Sequence, residues 1–178
     1  GMVLDENRVK MSKSLGNIVE PDAVLEEYPV DAARYWAAGS AVGDDLPYKE
    51  EGLRAGEKLL RKLWNASKLI DSLTEETPAE HPDLRPIDRW LLAELDSEID
   101  FITERLEQQE FSKARDRLRS FFWHTFCDDY LEIAKQRIRE SDDPSAAYTL
   151  QVAHKRFLKL FAPFLAHITE ELWREMYD

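Results

Sequence analysis

Apolar residues recur at three- and four-residue spacing along most of the chain, starting near Lys49. Leu53, Gly56, Leu60, Leu63, Ser67 and Ile70 form one line, which predicts a helix of about 23 residues with a single buried face. A second line, from Pro86 to Gln109, joins Ile87, Trp90, Leu91, Leu95, Ile99, Ile102 and Leu106, and the opposite face is almost entirely acidic. The third runs from Phe111 to Arg139 through Phe111, Ala114, Leu118, Phe121, Phe122, Phe126, Tyr130, Ile133 and Ala134. An aromatic stripe of this kind belongs in a core rather than on a base-stacking platform. The last run, Ser145 to Tyr177, keeps Phe157, Leu160, Phe164, Ile168 and Leu172 on one side, and Pro163 is expected to break it near Phe161. Between the runs, Thr74-Glu75-Glu76-Thr77-Pro78 lies in a loop expected over 72–86, and Ser141-Asp142-Asp143-Pro144 reads as a cap and turn. Four amphipathic helices with short connections have only each other to bury their faces against. The expected fold is therefore all-α, an antiparallel helical bundle.

Before Lys49 the pattern is shorter-ranged. Met2-Val3-Leu4 reads as a strand end running into a turn. Pro21 suits a first helical position, with a helix continuing to Tyr28 and ended by Pro29. A second short helix runs from Asp31 to Trp36, with Gly39 as its stop. Gly43-Asp44-Asp45-Leu46-Pro47 is a turn cluster, and the domain boundary is expected there. Residues 1–47 then form a small linker module and residues 48–178 the bundle.

Composition supports a real core, since 43% of residues are hydrophobic and five Trp, six Tyr and eight Phe are available to fill it. The longest apolar runs are a few residues, so neither a membrane span nor a secretion signal is expected, and the chain reads as cytoplasmic. The single Cys127 rules out an internal disulfide, and His81, His124, His154 and His167 lack metal-ligand spacing, so no metal site is expected. His124 and Cys127 are expected as a packed core pair. Asp128, Asp129, Glu132 and Lys135 are expected to form a partly buried ion network between helices.

The net charge of −12 argues against a nucleic-acid partner until it is divided along the chain. Residues 49–71 carry 6 basic and 4 acidic groups, a net +2, and residues 111–139 carry 7 and 4, a net +3. Residues 1–48, 72–110 and 140–178 are net acidic, at −5, −9 and −3. Two long basic segments therefore sit inside an acidic protein. Such an acidic surface suggests a salt-loving source, because at molar salt the Debye length falls to about 3 Å and repulsion of RNA is screened while close contacts survive.

The densest candidate chemistry is Lys10-Met11-Ser12-Lys13-Ser14, followed by Leu15-Gly16-Asn17. Two lysines and two hydroxyls supply rotatable donors able to follow a triphosphate as its charge moves, and Gly16 lets the backbone turn afterwards. On composition alone, a solvated surface loop remains the commoner meaning of such a stretch. The full pentapeptide, however, resembles the KMSKS signature loop of class I aminoacyl-tRNA synthetases. That resemblance implies ATP binding by Lys10, Met11, Ser12, Lys13 and Ser14. It gives Lys10 and Lys13 catalytic roles, with Lys13 stabilising the departing pyrophosphate of Mg-bound ATP. Tyr28-Pro29-Val30-Asp31-Ala32-Ala33-Arg34 matches the tyrosine, aspartate and arginine of the family's Tyr-Gly-x-Asp-x-x-Arg segment, with Pro29 in place of the glycine and a stiffer turn expected.

Within the valine, isoleucine, leucine, methionine and cysteine group, two stretches look most like the valyl enzymes. They are Lys62-Leu63-Trp64-Asn65-Ala66 and the segment from Phe122 to Glu132, which contains Phe126-Cys127-Asp128-Asp129-Tyr130. The resemblance implies a helical anticodon-binding domain that holds valine tRNA, with Arg54, Lys58, Arg61, Lys62 and Lys68 as cations and Leu69 as an apolar contact. It implies catalytic and editing domains elsewhere in one polypeptide, working as a monomer. No His-x-x-His tetrapeptide of the nucleotide-binding fold occurs in the chain, so a fragment is expected, with its signature lysines lacking order. The competing readings are the equivalent piece of an isoleucyl- or leucyl-type enzyme and, from another class, a helical protein-interaction module.

Overall fold

Strands Val3–Leu4 (β1) and Leu46–Pro47 (β2) pair in parallel, Val3 opposite Leu46 and Leu4 opposite Pro47. The amide of Met2 donates to Asp45 Oδ1 at 2.7 Å, so both ends of the N-terminal segment meet just before the first long helix. The computed structural model describes residues 1–74 and 82–178. Glu75-Glu76-Thr77-Pro78 of the expected loop and His81 lie outside the described residues. The cluster expected to be all turn at 43–47 is a correction: it turns early and then supplies β2.

Inside this closed segment lie α1 (Pro21–Glu27), which buries nothing, and α2 (Val30–Ala37), which buries Asp31, Ala32 and Tyr35. The long helices follow as α3 (Glu50–Thr74) and α4 (Pro86–Glu107), then α5 (Phe111–Ser120) and α6 (Leu131–Ser141). Next come α7 (Pro144–Phe161) and α8 (Ala166–Tyr177). Between α5 and α6 the ten residues Phe121–Tyr130 are π-helical, so Phe111–Ser120, Phe121–Tyr130 and Leu131–Ser141 make one continuous rod. The wider turn keeps Phe122, Phe126 and Tyr130, four apart, on one side. There the Phe126 ring lies 4.7 Å from Phe157, and Phe122 lies 5.2 Å from both Phe157 and Phe161. The antiparallel bundle is all-α apart from the two-residue strands, as the periodicity predicts. The Asp143 carboxylate caps α7 through the amides of Ser145 and Ala146, Asp142 is left-handed at φ 46°, and the chain breaks around Pro163.

The expected apolar line of α4 holds at Ile87, Leu91, Leu95, Ile99, Ile102 and Leu106 but not at Trp90, and two acids are buried beside it. Its buried positions are Asp88, Leu91, Leu95, Glu98 and Ile102, while Trp90 faces solvent, as do Phe111 and Ile133 of the next rod. The two acids are buried because each meets an arginine. The Asp88 carboxylate accepts a bidentate pair from Arg137 at 2.8 Å, the Tyr130 hydroxyl at 2.6 Å and the Ser145 hydroxyl. Arg137 also reaches Asp143, joining the starts of α4 and α7 to α6. Burial alone would raise the Asp88 carboxyl, but hydrogen bonds from Arg137, Ser145 and Tyr130 outweigh it and hold it below the usual carboxylate range. Glu98 receives Arg117 of α5 in the same bidentate way.

The short N-terminal helix α2 is fastened to the bundle on three sides. A Cβ on Gly56 of α3 would stand 2.9 Å from Ala32 Cα, so only glycine allows this close a crossing. Arg115 of α5 donates to the Tyr35 carbonyl at 2.9 Å and lies over the Tyr35 ring at 4.5 Å. The buried Asp31 carboxylate accepts the α8 amides of His167 and Ile168 at 3.1 and 2.8 Å, and Arg34 donates to the Pro163 carbonyl at 3.0 Å. The local ion pair between Asp31 and Arg34 is long, at 3.9 Å, because both side chains are engaged across the chain.

His154 is fully buried between α3 and α8. The Ser67 hydroxyl gives its hydrogen to the Leu63 carbonyl at 2.8 Å, so it accepts from His154 Nε2 at 2.8 Å, and the Tyr177 hydroxyl donates to Nδ1 at 2.6 Å. Burial holds the imidazole neutral and lowers its pKa from 6.5 to about 4. The unfolded chain takes up this proton below about 6.5 and the native protein only near 4, so stability falls as pH drops through that window. The loss is about 3 kcal/mol, and His154→Gln should flatten this slope in urea unfolding between pH 6.5 and 4. Replacing the α8 cap, Asp31→Ala, should lower the unfolding free energy by about 1–2 kcal/mol and speed hydrogen exchange at the His167 and Ile168 amides.

Candidate functional site

The expected signature loop is a hydrogen-bonded turn rather than a loose segment, because two residues outside the pentapeptide hold its backbone. Asn17 Nδ2 donates to Asp5 Oδ2 at 2.8 Å and to the Lys10 carbonyl at 3.3 Å, while its Oδ1 accepts the Ser12 amide at 2.9 Å. Asp5 in turn receives the amides of Asn7 and Val9 at 3.0 and 2.7 Å. The Asn17 amide, and after it the Val9 and Asn7 backbone, hold the Asp5 carboxyl below its ordinary range. Lys10 bridges to Leu4 through its backbone, Gly16 closes the turn at φ 64°, and the Ser12 and Ser14 hydroxyls lie 3.2 Å apart. Lys10, Lys13 and Ser14 are exposed, whereas Met11 and Ser12 are half-buried. Neither lysine has a carboxylate partner among the described residues. The turn's backbone is held by these hydrogen bonds, and the Lys10 and Lys13 ammonium groups extend from it. Asn17, just past the pentapeptide, is the clamp of the turn, a role that no local spacing signals.

The α3 cations do not form a free basic face. Arg54 pairs with Glu50 at 2.7 Å and Arg61 with Glu57 at 3.0 Å, both within α3. Lys62 reaches Asp128 at 2.9 Å, and Lys68 reaches Glu175 of α8 at 2.6 Å while lying 5.0 Å from the Trp64 ring. Lys58 is exposed without a carboxylate partner among the described residues, and Leu69 is half-buried against the core. These side chains line one outer face of α3, but they are spread along it rather than gathered at a point.

The buried ion network expected from Asp128, Asp129, Glu132 and Lys135 is not formed. Asp128 is exposed and belongs to Lys62 and His124, Lys135 pairs with Glu132 alone, and Asp129 faces solvent. The Lys62 hydrogen bond leads in holding the Asp128 carboxyl below its usual range. The His124 and Cys127 pair is likewise divided. Cys127 is buried, its thiol pushed up to about 12 by desolvation, while His124 is exposed. Among the described residues no group of three or more His, Cys, Asp or Glu is arranged to hold a metal ion, and no helix is long and apolar enough to cross a membrane.

An apolar groove of about 650 Å³ lies between α2, α3 and α8, with Val30, Leu60, Trp64 and Ile168 on its walls.

Comparison with known proteins matches residues 88–178 to the anticodon-binding domain of tRNA ligase, and residues 1–49 to the class I tRNA synthetases for isoleucine, leucine, methionine and valine. The chain is 62% identical to the valine–tRNA ligase of Haloarcula marismortui over 179 aligned positions, covering all of this chain and 20% of that protein. It is 42% identical to the valine–tRNA ligase of Methanothermobacter thermautotrophicus, covering 97% of this chain and 20% of the relative. The chain thus spans about one fifth of the length of these relatives. In fold it superposes with a TM-score of 0.75 on the Agrobacterium radiobacter K84 LeuRS of a ternary LeuRS-tRNA-LeuAMS complex. The identity there is 24%, with 100% of this chain and 22% of the other covered. The bundle that carries the buried Asp88 network and the long α3 face therefore has a family, and the chain belongs to it: the anticodon-binding domains of class I tRNA ligases.

Proposed function

We propose that this chain is the signature-loop and anticodon-binding portion of a valine–tRNA ligase. The observation that carries the reading is a turn with two lysines that lack carboxylate partners among the described residues, tied to the long helix α3 through the β1–β2 pair just before that helix and the Ala32–Gly56 crossing. In the intact enzyme, valine and Mg-bound ATP react to give the adenylate and pyrophosphate. Lys10 and Lys13, with the Ser12 and Ser14 hydroxyls, meet the phosphates, and Lys13 takes the charge that develops on the leaving group. The bundle holds the anticodon arm of valine tRNA. A 23-residue stretch of α3 spans about 35 Å, enough to reach from a catalytic core toward an anticodon. Arg54, Lys58, Arg61, Lys62 and Lys68 meet phosphates or base edges, all but Lys58 exchanging an internal carboxylate for RNA, and Leu69 gives an apolar contact. The enzyme works as a cytoplasmic monomer with catalytic and editing domains in the same polypeptide, and tRNA binding persists at molar salt. The 62% identity to a valine ligase supports valine over the isoleucyl and leucyl alternatives.

The apolar groove beside Trp64 favours a second reading, a protein-interaction module without affinity for RNA. A gel shift in high salt with valine tRNA and an anticodon-swapped tRNA separates the two, the first reading requiring tighter binding of valine tRNA. In full-length enzyme, Lys13→Ala should reduce tRNA-independent ATP–pyrophosphate exchange by about 10²–10³-fold while leaving tRNA affinity alone. Lys62→Ala should have the converse effect, weakening tRNA binding about tenfold at matched salt with exchange unchanged. Unchanged tRNA affinity in Lys62→Ala removes Lys62 from the interface.

A further inference from the structure

The two net-basic segments of this acidic chain, 49–71 and 111–139, meet along one side of the bundle, at the indole of Trp123. Lys62 Nζ lies 5.3 Å from the centre of that ring and the Arg119 guanidinium 5.4 Å from it. Trp123 is half-buried against the core, so its ring is a fixed platform. Lys58 stands one helical turn before Lys62 on α3, and Arg115 stands one turn before Arg119 on α5, over Tyr35. Lys62 and Arg119 thus share the Trp123 ring across α3 and the α5 rod, and Arg115 continues from the rod to the Tyr35 ring of α2.

The acidic groups here are few and already engaged. Asp116 is held by Arg115 at 2.7 Å, and Asp128 by Lys62 at 2.9 Å and His124 at 3.2 Å. Arg119 differs from most arginines of the chain in having no carboxylate partner among the described residues, and Lys58 shares that property. An arginine stacked on an indole keeps its outward N–H groups free and loses little rotamer freedom when they are used. In a protein of net charge −12 such a pair of uncommitted cations is a place where an anion displaces no internal partner.

We propose that Arg119, held on Trp123, and Lys58 bind the ribose-phosphate backbone of tRNA along the side where Lys62 of α3 meets Trp123 of the α5 rod, with Lys62 between them. This rests on the reading of the bundle as a tRNA-binding domain and adds the second wall of that surface. Trp123 is a positioning residue: it orients the guanidinium rather than reading a base.

The test is equilibrium binding of valine tRNA to the full-length enzyme across a salt series, for the parent and for Arg119→Ala, Arg119→Lys and Trp123→Leu. Arg119→Ala should weaken binding about tenfold and reduce the slope of log K against log salt by about 0.7–0.9. Arg119→Lys should restore the slope without the full affinity, and Trp123→Leu should lower affinity with the slope retained. Exchange of ATP with pyrophosphate in the absence of tRNA, and the thermal midpoint, should stay at parental values in Arg119→Ala. A parent that binds tRNA with Arg119→Ala equal to it in affinity and slope overturns this site alone. A parent that binds no tRNA overturns both this site and the tRNA-binding reading.

Discussion

The carboxylate of Asp31 accepts two backbone amides at the start of α8, 136 and 137 residues away along the chain, and Arg34, one turn later, donates to the carbonyl of Pro163. A helix start carries unsatisfied N–H groups and partial positive charge, and a broken helix leaves a free carbonyl just before it. The kink between α7 and α8 thus presents a donor set and an acceptor side by side, and α2 brings one group of each complementary kind. Without this pairing the N-terminal segment would be held to the bundle chiefly by the Ala32–Gly56 crossing on α3 and by Arg115 of α5. With it, the turn that bears Lys10 and Lys13 has a defined attitude relative to α3, α5 and α8.

Electrostatics in the rest of the molecule follows from the surplus of carboxylates over cations, 36 against 24. Most arginines and lysines of the bundle have an acid within reach, so exposed pairs such as Arg61–Glu57 add little to stability and mainly set which cations are available to an outside anion. The buried pairs act differently. Asp88 with Arg137 is buried on both sides, and losing one partner would leave a stranded charge costing about 3–5 kcal/mol, whereas Glu98 is buried but its partner Arg117 remains open to solvent. They hold α4 at its first turn and near its middle while its outer face stays acidic.

Much of this was legible in the sequence because helices advertise themselves locally. The caps at 141–144, the break at Pro163 and the four apolar runs all depend on residues within a few positions of one another. The errors share a cause. Asp88 and Glu98 occupy the buried line of α4, at the spacing an apolar stripe would have, and only an arginine on another helix makes that tolerable. Reading the line through Trp90 avoided two acids and placed an exposed indole inside. The partners of Lys62 and Lys68 lie 66 and 107 residues away, so no local pattern names them. In the signature loop the pentapeptide was plain, but its rigidity comes from Asn17 and Asp5, whose side chains act on backbone groups and leave no periodic trace.

The π-helical stretch Phe121–Tyr130 sets the angular phase between the two halves of the rod. An ordinary α-helix advances about 100° per residue and the wider π turn by less, so removing one residue from this stretch would change the angle between the two halves of the rod by up to that amount. Arg137 would swing away from Asp88, and Asp128 away from Lys62. Length within these ten residues is therefore constrained as tightly as identity: side chains on its surface can be exchanged, but the number of positions counts as a gear tooth for half the bundle.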